Sequence, residues 1–202
     1  MYYDADQDHG LPHDPFKALV VPRPIGWIST RNRAGQVNLA PYSYFNALSD
    51  RPKLVFFSSS MQVKDSATFA EESGEFVANF VSEGLAEQMN ATSVDAPRGI
   101  SEFAVAGLHE APCRRVSAPR VAEAYAALEC KVTQVLVPRM LDGKDASALV
   151  VFGQVVGVHI DEAILTHGLV DVRKARPVSR LGYMEFSVTA DSFTMLRPKW
   201  QK

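Results

Sequence analysis

The chain has 202 residues, 47% of them hydrophobic and 22% charged, with 21 Lys and Arg set against 23 Asp and Glu for a formal charge of −2. This composition excludes a disordered, collagenous or coiled-coil chain, and the length suits one domain, 1–202, with a sizeable core. The charge balance argues against a nucleic-acid partner, which is held largely through phosphates.

Residues 1–14 contain four aspartates and no Lys or Arg, unlike a secretory leader. An extended start at 20–30 mixes branched and aromatic residues with Pro24 and Gly26, which suits a bent, partly unpaired strand. A compact strand is predicted at 54–58. A helix follows within 64–73, where Ala67, Phe69 and Ala70 share a face and Gly74 supplies the stop, and then a strand at 75–81. A second helix is predicted at 83–91, followed by the loop 95–99. Leu128, Cys130 and Val132 alternate with Glu129, Lys131 and Thr133, the period-2 pattern of a half-buried strand. Asp142-Gly143 marks a turn into a Val-rich strand at 148–160. A last strand at 182–189 is predicted to turn near 190–191 into 193–196. The uncharged run between Asp145 and Asp161 is shorter than the ~20 apolar residues of a membrane span. No membrane partner is therefore expected, and a cytoplasmic location is. Strands outnumber helices and short turns can pair them, so the expected fold is mainly β, an antiparallel barrel with a few flanking helices.

Several familiar motifs fail. Gly143-Lys144 lacks the upstream Gly and the following Ser or Thr of a phosphate-binding loop, and His109-Glu110 is followed by Pro112 and Cys113 where a zinc-protease helix needs a second His. Asn90-Ala-Thr92 is a glycosylation sequon without a secretory leader. Nucleophile-elbow and dinucleotide glycine patterns are missing. The five histidines have no paired metal spacing, so no metal site is expected, and Cys113 and Cys130 are read as reduced structural thiols.

Four segments place hydroxyls, amides and one cation on turns beside apolar strands: RPIGWIST (23–30), APYSYFN (40–46), SSSMQVKDS (58–66) and MNATS (89–93). Their order and spacing, over residues 15–197, resemble the flavin reductase-like family. These are FMN-binding split β-barrels that include flavoredoxin and the reductase partners of two-component monooxygenases. The resemblance makes 15–197 the barrel core and 1–14 an N-terminal extension.

Each segment has a plain reading beside the one the resemblance implies. Lys64 with Ser60, Asp65 and Ser66 sits where a helix N-terminus attracts a phosphate dianion, or else forms an ordinary capped helix with a solvated lysine. The resemblance makes this the FMN phosphate site. Ser29 and Thr30 are β-compatible residues before a turn, or flavin partners near the ribityl and phosphate portion. Asn46 caps a turn, or lies with Tyr44 and Phe45 along the isoalloxazine edge, where its amide reads the ring. Asn90 and Thr92 close the second helix or approach the ring. Trp27 reads as core. Arg180 and Tyr183 form a surface ion pair and a packed aromatic, or approach the nicotinamide.

The resemblance further implies an NAD(P)H-dependent flavin reductase that binds FMN, with FAD as the alternative, and works as a homodimer whose partner is a monooxygenase fed with reduced flavin. No protein acid or base is then needed as a catalytic residue, because hydride passes from nicotinamide to flavin. The competing reading is an FMN-binding electron carrier without NAD(P)H activity.

Overall fold

The computed structural model describes residues 1–60, 64–97 and 99–200. Positions 61–63 of the 58–66 segment and Arg98 of the 95–99 loop lie outside the described residues. Seven strands form one antiparallel sheet: β1 (Gly26–Arg31), β2 (Val37–Tyr42), β3 (Phe45–Asp50), β4 (Lys53–Ser60), β5 (Glu75–Asn79), β6 (Ala126–Leu136) and β7 (Ala148–Ile160), in the order β2-β1-β5-β6-β7-β4-β3. Strand twist accumulates across the sheet until edge strand β2 comes round to β4, where the Tyr42 and Phe57 rings lie 5.1 Å apart. β2 and β4 are not hydrogen-bonded, so the mainly β fold expected from the sequence is a barrel left open along one seam.

β1 is buried on both faces from Gly26 to Thr30, so the polar Ser29 and Thr30 are enclosed together with Trp27 and Ile28. Ile28 points into the barrel with Phe57, Phe76, Cys130 and Val151. Trp27 packs outside it against Leu39, Met89 and Phe103. Helix α1 (Asp65–Ser73) covers the barrel interior with Ala67 and Ala70, and Gly74 ends it in the left-handed conformation at φ 72°, its N–H bonded to the Ala70 carbonyl. The second predicted helix is a 3-10 turn, Glu83–Leu85, continued by α2 (Ala86–Ala91). β6 directs Leu128, Cys130 and Val132 to the interior as the alternation requires, and β7 covers the predicted 148–160. Among the described residues no helix is long and apolar enough to cross a membrane.

Two expectations are corrected. The 40–46 segment is not a turn: it runs through β2 and β3, with only Ser43 and Tyr44 between them. Pro41 is tolerated because β2 is an edge strand, where a missing N–H interrupts no ladder. The late strand is shorter than predicted. Val178–Arg180 pairs with Phe186–Val188 and with Arg23–Pro24 in a small separate sheet, while 193–196 forms no strand. Phe193 and Leu196 are exposed, and an apolar segment without a neighbouring strand has nothing to complete its ladder.

Candidate functional site

The open seam is a cleft of about 510 Å³, within the roughly 300–1,000 Å³ usual for ligand pockets. β2 lines one wall with Asn38, Pro41 and Tyr42, and β4 lines the other with Ser58, Ser59 and Ser60. Lys64, Asp65 and Ser66 stand at the start of α1, and Thr92 to Ala96 complete the rim. Lys64 occupies the N-cap position in extended conformation, and no side chain caps the helix. Backbone N–H groups at a helix start are left without intrahelical acceptors, and here they meet a polar cleft beside an ammonium group. The Ser66 hydroxyl donates to Asn38 Oδ1 at 2.5 Å. Ser59 is buried beside Tyr42, and among the described residues its hydroxyl makes no hydrogen bond of ordinary length, which in a ligand cleft leaves it available to a ligand. Lys64 Nζ is held by Asp95 Oδ1 at 2.5 Å; the carboxylate raises the lysine above its ordinary value, and the lysine holds the Asp95 carboxyl below its own. Burial pushes Glu102, another wall residue, above the usual carboxylate range, although its Oε2 accepts from the Leu39 amide at 3.0 Å.

Pro41 and Ser93 are shared with a second cleft of about 390 Å³, so the two run into one another. Tyr44, Asn90, Arg180, Tyr183 and Arg23 line it. Arg23 is buried, with its guanidinium donating to the carbonyls of Lys17, Val20 and Leu181. Among the described residues Arg180 makes no ion pair. Its guanidinium lies 4.3 Å from the Phe186 ring centroid and donates to the Tyr183 carbonyl, and burial together with the Arg23 charge lowers its pKa. Tyr183 holds φ at 54°, uncommon for a residue with a side chain.

The structure thus gathers Ser60, Lys64, Asp65, Ser66 and Thr92 at the first cleft and Tyr44, Asn90, Arg180 and Tyr183 at the second. It leaves four other candidates outside both. Ser29 is fully buried, its hydroxyl donating to the Pro119 carbonyl and accepting from Asn79 Nδ2. Thr30 is also fully buried, with its hydroxyl unpartnered. The Phe45 ring packs on Gly26, where a Cβ would come within 2.5 Å of it. Asn46 is exposed on β3, with Oδ1 accepting from the Ala47 amide. Thr92 closes α2 as its plain reading has it, donating to the Met89 carbonyl while accepting from the Trp27 indole at 2.9 Å.

A family model for the flavin reductase like domain matches residues 18–178. The chain belongs to the flavin reductase-like family. An uncharacterised protein of Halalkalibacterium halodurans is 37% identical over 183 residues, covering 89% of this chain and 87% of its own. Among solved structures, nitrilotriacetate monooxygenase component B from Bacillus cereus superposes with TM-score 0.85 at 26% identity, over 96% of this chain and 99% of that one. A Shewanella frigidimarina protein with a split-barrel domain superposes with TM-score 0.79 at 22% identity, over 91% and 90% of the two chains, and supports the fold alone.

Sequence reasoning missed Asn38, Ser59, Asp95 and Glu102. Ser59 carried a signal, since the strand predicted at 54–58, continued by one residue, takes it in between Ser58 and Ser60. The other three lie on separate segments, and only the curl of the sheet and the packing of the 92–105 region bring them to the seam.

Proposed function

We propose that the chain is an NAD(P)H-dependent flavin reductase that binds FMN along the seam. The observation that carries this reading is the uncapped start of α1, with Lys64 beside it, opening on a cleft that also holds the available Ser59 hydroxyl. A phosphate dianion suits this corner. Backbone N–H groups and Lys64 supply donors and charge, and Ser60 adds a hydroxyl. The flavin supplies the hydride-accepting centre when bound. Asn38 and Tyr42 then offer polar contacts along the wall, and the second cleft is where a nicotinamide nucleotide meets Arg180, Arg23 and Tyr183, the positive charge of the two arginines favouring its phosphates. Ser29 is reassigned to holding the 119 loop on β1, and Phe45 to packing on Gly26.

The test is anaerobic mixing of FMN-loaded protein with NADH or NADPH. The expected result is bleaching of the flavin absorbance; a protein that stays yellow is the electron carrier of the competing reading, and one that takes up neither FMN nor FAD is no flavoprotein.

A homodimer is part of the same proposal. Phe193, Met195, Leu196 and Trp200 are each at least 80% exposed, more apolar surface than a monomer usually leaves to water. Sedimentation of the holoprotein at micromolar concentration is expected to give a dimer, and a flavin-loaded monomer contradicts it. Reduced flavin released from such a dimer is what a monooxygenase partner consumes. The protein is proposed to act in the cytoplasm as a single 15–197 barrel unit with a 1–14 extension.

A further inference from the structure

On the far side of the sheet from the seam residues, three chemically different side chains converge. Cys113 Sγ, a carboxylate oxygen of Glu129 and a ring nitrogen of His159 all lie within 4.8 Å of one another. They come from three separate segments: a loop, β6 and β7. We propose that they form a binding site for a zinc-class divalent ion, independent of the flavin reading.

Glu129 is the anchor. It is only 1% exposed although it sits on the face of β6 that the alternation assigns to solvent, and it is held there by design of the backbone. Its Oε1 accepts from the Arg114 amide at 3.0 Å and from His159 Nε2 at 2.5 Å, and its Oε2 accepts from the Arg115 amide at 2.6 Å. β7 makes room for it: the register shifts between Val155 and Gly157, and a Cβ on Gly157 would lie 3.0 Å from the carboxyl carbon. The hydrogen bonds donated by the two backbone N–H groups fix the carboxylate as outer partners fix a metal ligand. A cleft of about 600 Å³, lined by Glu129 and His159, gives an ion access.

The donor set decides the ion. One sulfur, one imidazole nitrogen and one carboxylate oxygen are the ligands of zinc, whereas magnesium and calcium take oxygen. Binding displaces the Cys113 thiol proton, and the ring hydrogen of His159 sits on Nδ1 so that the Nε2 lone pair faces the metal. The thiolate and carboxylate then balance its two charges, which a site flanked by Arg114, Arg115 and Arg120 requires. Three protein ligands leave the fourth tetrahedral position open to water or to an anion drawn by those arginines.

The test is calorimetric titration of chelator-treated full-length protein with zinc chloride, alongside absorption spectra with cobalt(II). One ion per chain at micromolar affinity or tighter is expected, with a thiolate-to-cobalt charge-transfer band. Cys113→Ser and His159→Gln are each expected to weaken zinc binding by roughly a hundredfold or more while FMN uptake is unchanged. Lack of saturable binding, absence of the charge-transfer band in the unmodified protein, or retained affinity in a variant that melts like the parent each overturns the proposal, leaving a hydrogen-bonded Glu129–His159 pair with a thiol beside it.

Discussion

Lys64→Ala is expected to weaken FMN binding by roughly tenfold to a hundredfold and to leave riboflavin binding nearly unchanged. A charge-assisted hydrogen bond to phosphate is worth ~1.5 to 3 kcal/mol, and riboflavin has no phosphate to lose it. The comparison separates a lost contact from a disturbed loop, since a loop that unfolds weakens both ligands. Asp95 sharpens the test. Its carboxylate holds Lys64 Nζ, so in the proposed site a phosphate dianion competes with it for the ammonium group. The pair is largely exposed, and such pairs are weak, so Asp95→Asn is expected to tighten FMN by only about two- to fivefold, again without effect on riboflavin. Titration of both variants with both flavins, followed by fluorescence quenching, gives the four affinities. Equal losses for FMN and riboflavin in Lys64→Ala would remove the phosphate from this corner. Arg31 is no substitute, because its guanidinium is engaged with the carbonyls of Ser117 and Gly35 and with Glu110.

Phe76→Ala is expected to cost about 3 to 5 kcal/mol of stability, seen as a fall in melting temperature of roughly 6 to 20 °C for a chain of this size. Phe76 is fully buried in the barrel, with its ring edge-on to Phe57 at 5.2 Å. Gly153 on β7 lies directly under that ring: a Cβ there would come within 2.5 Å of Phe76 Cε1 and Cζ, so the glycine is kept by packing. Gly153→Ala alone therefore overpacks the core, costing about 1 to 3 kcal/mol. In the double variant the new methyl enters the space the ring vacates. Its loss is expected to be smaller than the sum of the two single losses, a coupling that denaturant melts of the three variants measure. Strict additivity would mean that the two residues do not share the contact the structure shows.

Strands whose periodicity local chemistry enforces were legible from the residues alone. β7 spans the residues its Val-rich run marked, β6 turns Leu128, Cys130 and Val132 inward, and α1 ends at Gly74 where a left-handed residue was needed. The motif order was enough to name the family, because spacing along one chain survives without knowledge of the fold. That Lys64, Ser60 and Ser66 share one cleft was legible for the same reason: they lie within a few consecutive residues around a helix start, which concentrates donors.

What depends on distant segments meeting was decided only by tertiary structure. The 40–46 segment read as a turn until Pro41 proved to lie in β2, an edge strand. Ser29 and Thr30 had two readings, β-compatible residues or flavin partners by resemblance; in the fold Asn79 and Pro119 engage the Ser29 hydroxyl and burial encloses both residues. Glu129 was assigned to solvent by period-2 alternation, which counts faces but cannot see a loop folding over one of them. The amides of Arg114 and Arg115 arrive from that loop and supply the hydrogen bonds that make a buried carboxylate affordable, and with His159 they turn a surface position into the centre of a ligand cluster. Sequence spacing records neighbours along the chain, whereas the cost of burying a charge is met by neighbours in space.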